Sequence, residues 1–392
     1  MHSRPSLASH ASPSKMGAAQ GDEVPVVSTE LYDSDFTQFV KVSAARDNAH
    51  LPSCVCSSRV FHPLLPRCMT SSASLGPSRS DAVPAPPHVS HQALGSAYEK
   101  YGFVVLQHHG LPDELIARAK ASSKEFFNRS TEEKMKYHLE GRGGARGYTA
   151  FGVETAKGST HHDLKEFWHL GRDLAPGHRF EKVMPPNVTV AEGDFSAATS
   201  ELYAALDVLG GKVLEALAVH LRQERGYFAD KVDEGNSILR VIHYPPMCAE
   251  GKENGEAAMA KAGHVRAAAH EDINLITLLL GADEGGLQIL RRDGEWLEVN
   301  PPPGCVTCNI GDMLQRLSNH KLPSTTHRVV NPPPERAHLP RYSMPFFLHP
   351  NPDFLIETLP TCIDAQHPNR YPEPITSDDY LQQRLREIKL IK

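Results

Sequence analysis

His270 and Asp272 stand two apart at the head of an apolar run, HEDINLITLLL, and His327 opens a second short apolar run, RVV. Read as residues of one strand, His270 and Asp272 project to the same face, so an imidazole and a carboxylate can share one point in space. If the His327 strand is a neighbour, a second imidazole joins them. Two imidazoles and one carboxylate suit non-haem Fe(II) with open coordination positions. Spacing alone does not select the site, because the chain has 22 His, and His161 with Asp163 and His138 with Glu140 repeat the pattern. The first pair lies in polar, loop-like GSTHHDLKE and the second follows the charged helical stretch TEEKMKYHLE, so neither opens a strand-like run. Further on, Arg341 and Ser343 in RYSMPFFL are again i and i+2. A guanidinium fork and a hydroxyl on one face can grip a single carboxylate, as a dicarboxylate ligand would require.

His-x-Asp, a distal His followed by Arg-Val, and Arg-x-Ser occur here in one order, and in that order the chain resembles the isopenicillin N synthase-like family of non-haem Fe(II)/2-oxoglutarate-dependent dioxygenases. The likeness covers roughly residues 22–40 and 93–375. It implies that His270, Asp272 and His327 are the iron ligands, that Arg341 and Ser343 bind the distal carboxylate of 2-oxoglutarate, and that no catalytic side chain is needed beyond the metal site. Tyr244 matches the Tyr of the family's Asn-x-Tyr motif, while Ile242 stands where the family has Asn. The resemblance further implies Fe(II), 2-oxoglutarate as co-substrate and O2, with a small-molecule substrate oxidised as succinate and CO2 are released. Three alternatives stay open: a 2-oxoglutarate-independent oxidase of the isopenicillin N synthase type, an enzyme of the bacterial ethylene- and succinate-forming branch, and a catalytically silent metal-binding protein. Arg-x-Ser does not separate oxygenase from oxidase, since the family's oxidases keep it.

Composition agrees with a small-molecule partner. The formal net charge is −6 and no dense basic run occurs, which argues against a nucleic-acid partner held through phosphates. No apolar run is long enough to span a membrane. Residues 1–21 are rich in Ser and Ala and lack the apolar core of a secretory signal, so a disordered tail and a cytoplasmic protein are expected, with organelle targeting as the alternative. Seven cysteines and no export signal imply free thiols. Cys305 and Cys308, three apart on a strand, should point to opposite faces. Oligomeric state is not set by any of this.

The positioning elements follow. The expected class is α+β, mainly β: a double-stranded β-helix, or jelly roll, with helices packed on one sheet. Residues 22–222 form a helical and strand front part, 223–375 the jelly-roll core, and 376–392 a C-terminal helix. EVPVV from Glu23 and FVVLQ from Phe103 read as strands, and DELIARAKASSKEFF from Asp113 as a helix with an acidic start. The longest helix follows Asp194, a candidate N-cap, with Phe195, Ala198, Leu202, Leu206, Leu209, Val213, Leu217 and Leu221 as a core-facing stripe. Gly210 and Gly211 inside it suggest close packing against a neighbour. Short strands then dominate from Ser237, among them SILRVIHY, LQIL, EWLEV and CVTCNI. Between Lys41 and Gln92 the chain carries 10 Ser, 7 Pro and two acids with no traceable period, so residues 41–92 read as a disordered insertion. It would interrupt one helix combining Phe36, Phe39 and Val40 with Leu94, Ala97 and Tyr98. Cys54, Cys56 and Cys68 with His50 and His62 fit no zinc spacing. His108 and His109 at a strand end suit a structural role, the Gly-rich GRGGARGY from Gly141 a lid or plain loop, and Asp163, Lys165 and Glu166 a motif beside the site or a solvated ion-pair cluster.

Overall fold

The computed structural model describes residues 24–28, 41–43, 91–140, 145–154, 162–247, 264–281 and 284–387. Fifteen strands run in chain order: β1 (Val26–Ser28), β2 (Lys41–Ser43), β3 (Phe103–Gln107), β4 (Gly147–Thr149), β5 (Glu166–Gly171), β6 (Ile238–Tyr244), β7 (Ala267–His270), β8 (Ile276–Leu280), β9 (Leu287–Leu290), β10 (Trp296–Glu298), β11 (Val306–Ile310), β12 (His327–Val329), β13 (Arg341–Leu348), β14 (Leu355–Ile356) and β15 (Ile375–Thr376). The helices are α1 (His91–Tyr101), α2 (Asp113–Phe127), α3 (Thr131–Met135), α4 (Phe195–His220), α5 (Ala229–Val232), α6 (Asp312–Leu317) and α7 (Ser377–Glu387). A nine-stranded sheet takes the order β2-β1-β3-β11-β8-β13-β6-β5-β4, and a four-stranded sheet the order β10-β9-β12-β7. Apart from the parallel β1–β3 pair, all neighbours are antiparallel. This is the jelly roll, with helices on the outer face of the large sheet.

The large sheet is buried on both faces, and strand alternation sorts its side chains. Tyr342, Met344, Phe346 and Leu348 of β13 face the helices together with Leu239, Val241, Val306, Cys308 and Leu278. Phe103, Val105 and Cys305 face the small sheet, with Ala267, Leu287, Ile289 and Val329. Cys305 and Cys308 therefore do lie on opposite faces, and both are free thiols, as is Cys362. α4 closes the helical layer: Phe195, Ala198, Leu202, Leu206, Leu209, Val213, Leu217 and Leu221 are all buried. Each such Leu contributes about 1.5–3 kcal/mol by leaving water. The ring of Tyr203 meets Phe346 edge-on at 5.1 Å, locking helix to sheet.

Three local expectations are corrected and one falls outside the described residues. Asp194 does not cap α4 with its side chain; its carboxylate takes a two-point grip from Arg118, at 2.5 and 2.8 Å, which ties α4 to α2. Lys41–Ser43, placed by composition inside the insertion, forms β2 on the edge strand β1, because edge pairing needs only backbone groups and no core-forming period. Helix α1 starts at His91, and the proposed continuation through Phe36, Phe39 and Val40 lies outside the described residues, as do residues 44–90 with their Cys and His, the tail 1–21, and 388–392. Leu94, Ala97 and Tyr98 do share the buried face of α1. Finally, the two α4 glycines differ. A Cβ at Gly210 would stand 2.3 Å from Leu348 Cδ1, whereas one at Gly211 meets nothing within 4 Å.

That difference is testable by thermal or urea unfolding. Gly210→Ala must displace a fully buried Leu348 and should destabilise by about 1–3 kcal/mol, while Gly211→Ala should stabilise by about 0.5–1 kcal/mol through helix propensity. Equal effects at the two positions would contradict the packing described.

Candidate active site

The apolar run HEDINLITLLL is not one strand. His270 ends β7 in the small sheet, β8 begins at Ile276 in the large one, and Asp272 sits in the crossing between them. The shared-face argument for His270 and Asp272 is therefore replaced by a turn that carries the chain from sheet to sheet. His327 opens β12 and pairs directly with His270 across the β7–β12 ladder. The side chains converge as the spacing suggested: Asp272 Oδ1 lies 4.0 Å from His270 Nε2 and 3.8 Å from His327 Nε2. One donor atom from each of the three lies within 4.8 Å of the others, and no other such cluster occurs among the described residues. His138 instead hydrogen-bonds the Tyr148 carbonyl at 3.0 Å, and His161 lies outside the described residues.

Each donor is aimed by a partner behind it. His270 Nδ1 lies 2.7 Å from the Ala268 carbonyl and His327 Nδ1 lies 3.1 Å from the Thr325 carbonyl. A carbonyl requires a proton on Nδ1, which leaves the Nε2 lone pairs pointing inward. Asp272 Oδ2 accepts from Thr277 Oγ1 at 2.6 Å and from Asn309 Nδ2 at 2.7 Å, leaving Oδ1 for the imidazoles. Sequence reading missed Thr277 and Asn309; their only signal is a polar residue at a cavity-facing position of an otherwise apolar strand. Burial, and then the neighbouring His327, push His270 down to about 4. Burial would raise the Asp272 carboxyl, but His327, His270, Thr277 and Asn309 together bring it below its usual range. Imidazole and carboxylate are thus in ligand form at neutral pH, and this donor set fits Fe(II).

The three donors line a cavity of about 70 Å³ between the sheets. One end is formed by Tyr244, Arg341 and Ser343. Arg341 and Ser343 do share one face of β13, and Arg341 pairs in register with Tyr244 of β6. The Arg341 guanidinium is buried 5.1 Å from the Tyr244 ring centre, its Nε donates to the Glu284 carbonyl at 3.1 Å, and its Nη1 has no partner. Ile242, where the family has Asn, contributes an apolar wall.

Arg240 and Phe347 line the cavity toward the opposite ends of β6 and β13, and Lys165, just before the Glu166–His243 pair, reaches the same Glu154 as Arg240. Lys165 is buried between Glu154 at 2.7 Å and Asp163 at 2.9 Å, so this is a desolvated network and not a solvated cluster. Glu166 is separated from it: strand alternation turns Glu166 to the helical side, where it binds Lys134, His243 and Tyr148. Arg240 donates to His169 at 2.5 Å and Glu154 at 3.2 Å, with its guanidinium 4.4 Å from the Phe167 ring centre and 5.4 Å from that of Phe347. His109 proves structural, its ring meeting the Gly304 carbonyl at 2.9 Å and the Leu111 amide at 3.1 Å. Of GRGGARGY, residues 141–144 lie outside the described residues, while Gly147–Thr149 is strand β4.

Comparison with known proteins agrees with this geometry. Residues 235–350 match the 2OG-Fe(II) oxygenase superfamily, and residues 76–192 match the N-terminal region described as "non-haem dioxygenase in morphine synthesis". The 2-oxoglutarate-Fe(II) type oxidoreductase hxnY of Emericella nidulans is 32% identical over 74% of this chain and 82% of its own length. A 2OG-Fe(II) oxygenase family protein of Caulobacter crescentus is 56% identical over 76% of this chain and 94% of its own, with a TM-score of 0.69. A full-length Neurospora crassa protein solved in complex with alpha-KG is 32% identical over 76% of this chain and 89% of its own, with a TM-score of 0.64. Matched across its front part and its jelly roll, the chain belongs to the 2OG-Fe(II) oxygenase superfamily: it is a dioxygenase that uses Fe(II), 2-oxoglutarate and O2 to oxidise a small molecule.

Proposed function

We propose that His270, Asp272 and His327 hold the iron, and that Arg341, Ser343 and Tyr244 receive the distal carboxylate of 2-oxoglutarate. The observation that carries this assignment is Arg341, a guanidinium 3% exposed with Nη1 unpartnered, standing beside Ser343 on the wall of the cavity that the three donors line. A buried cation without a counter-charge costs several kcal/mol, so such a site favours a carboxylate ligand. When bound, iron supplies the activation of O2 that couples decarboxylation of 2-oxoglutarate to substrate oxidation, yielding succinate and CO2. The protein's own part is positional. Ala268, Thr325, Thr277 and Asn309 hold the ligand atoms, Arg341 and Ser343 set how far 2-oxoglutarate enters, and apolar Leu279, Leu287 and Pro345 keep water from the walls.

The substrate end supports a neutral, compact substrate. Lys165 and Arg240 are matched there by Glu154 and Asp163, so no surplus charge calls for an ion. Phe167 and Phe347 flank Arg240 and offer flat surfaces. The Neurospora crassa relative, also solved with thymine, has a ligand of that character. The substrate class this end fits is a small neutral molecule with a hydrogen-bond acceptor for Arg240. The ethylene-forming alternative has no support among the relatives described. The chain's described residues contain no helix long and apolar enough to cross a membrane.

Two sets of variants test the assignment. His327→Ala should abolish 2-oxoglutarate turnover without loss of cooperative unfolding. Thr277→Val and Asn309→Ala should each weaken Fe(II) affinity about tenfold or more in anaerobic calorimetric titrations, since groups that orient metal ligands are worth that much. Full activity in His327→Ala would refute the metal assignment. Separately, Arg341→Lys keeps the charge and loses the planar fork, so apparent 2-oxoglutarate affinity should fall about ten- to a hundredfold, or about 1.4–2.7 kcal/mol. Iron affinity should stay as in the unaltered protein. If Arg341→Lys spares 2-oxoglutarate and weakens another carboxylate instead, the assignment of Arg341 to the co-substrate is refuted.

A further inference from the structure

A second guanidinium stands behind the first. Arg266 immediately precedes β7, four residues before His270, and its backbone N–H is pinned by Asn331 Oδ1 at 3.0 Å. The residue is 1% exposed. Its Nη2 donates to the Leu339 carbonyl at 3.1 Å, while Nε and Nη1 have no partner. Its guanidinium carbon lies 5.9 Å from the Tyr244 ring centre, against 5.1 Å for that of Arg341, so the two arginines lie against one ring. Burial, and then the charge of Arg341, push Arg266 down to about 10, so it is still a cation at neutral pH.

The charges at this end do not balance. Among the described residues, the carboxylate bearing on both arginines is Glu284, and it is gripped at 2.5 and 2.7 Å by a third arginine, Arg336. What Glu284 gives Arg341 is its backbone carbonyl. Two desolvated cations and three unpartnered nitrogens thus surround Tyr244, in contrast to the matched charges at the Arg240 end. Nothing in folding alone rewards this arrangement, because two like charges in a low-dielectric wall repel and each has lost its water. A ligand carboxylate facing Tyr244 would relieve both.

We propose that Arg266 is a positioning residue for the co-substrate, the second cation of a paired-arginine receptor in which Arg341 touches the distal carboxylate and Arg266 reinforces it from beside Tyr244. Arg266 does not line the cavity, so its effect runs through the charge field and the placement of Tyr244 and Arg341. The proposal rests on the assignment of Arg341 to 2-oxoglutarate made above.

The test compares two probes by anaerobic calorimetry on the full Mn(II)-loaded chain: 2-oxoglutarate, and 2-oxobutyrate, which has the same 2-oxo acid head and no distal carboxylate. Arg266→Gln should weaken 2-oxoglutarate about tenfold and leave 2-oxobutyrate within about twofold of its original affinity, because only the distal carboxylate feels the missing charge. Arg266→Lys should recover most of the loss. Arg266→Met, an apolar filler of similar length, should behave as Gln does and serves if Gln does not fold. Equal weakening of both probes would mark Arg266 as merely structural and overturn the proposal, as would unchanged 2-oxoglutarate affinity or a Lys variant as weak as Gln. Arg341→Gln separates the two levels. If it keeps the original preference for 2-oxoglutarate over 2-oxobutyrate, the co-substrate assignment itself fails; if it loses that preference while Arg266→Gln does not, only the second cation is disproved.

Discussion

The Asp272 carboxylate is the point on which both halves of the jelly roll depend. One oxygen is held by Thr277 on β8 and Asn309 on β11, both in the large sheet, and the other faces His270 on β7 and His327 on β12, both in the small sheet. Neither sheet contains the site by itself. A buried carboxylate is stable only when its lone pairs are satisfied, and here the large sheet supplies that satisfaction while the small sheet supplies the partner ligands. The Asp312 amide, donating to the Asp272 carbonyl at 2.7 Å, adds the start of α6 to the same point. The turn carrying Asp272 is thus held at its backbone and its side chain at once.

From this point the cavity runs toward two electrically different ends. At the Arg240 end each cation has its carboxylate, and Asp163 Oδ1 also accepts the Ala268 amide at 3.1 Å. Ala268 is the residue whose carbonyl orients His270. The Asp163 network and the His270 ring are therefore tied to the same residue of β7, one through its N–H and the other through its carbonyl. At the Arg341 end, among the described residues, two cations share Glu284, which Arg336 already grips. A cavity with a charge-balanced end and a cationic end can order two ligands by charge as well as by shape: under the proposed assignment the dianion takes the arginine end and leaves the remaining space to a molecule with no such charge.

Rigidity comes from the opposite face of the large sheet. Phe126 stacks on Phe195 at 4.6 Å and meets Trp168 edge-on at 5.1 Å, joining α2, α4 and β5. On the same face His243 stacks on Tyr342 at 4.6 Å and reaches Glu166 at 2.7 Å. Along β6 and β13 the inward side chains line the cavity while their immediate neighbours are clamped by aromatic packing on the other side. Such sites are held by backbone that is packed on both faces, which is how a cavity can carry unpartnered arginines without collapsing onto them.

Residue type and its setting in an apolar run singled out His270, Asp272, His327, Arg341 and Ser343 in the sequence, and the structure brings these five around one cavity. The α4 stripe and the opposed faces of Cys305 and Cys308 were legible too, since both follow from the periods of helix and strand. Tertiary structure alone decided what depends on which sheet a residue joins. A local period does not report that HEDINLITLLL breaks between two sheets, because the residues on either side of the break are equally apolar. Nor does it find Asn309, which is 37 residues from the carboxylate it holds, or Thr277, only five residues from it but across the break between the sheets. The fate of Asp194 shows the same limit, for a good capping residue was taken by Arg118, 76 positions away, whose charged two-point bond outweighs a neutral cap. Local chemistry proposes partners, and long-range packing chooses among them.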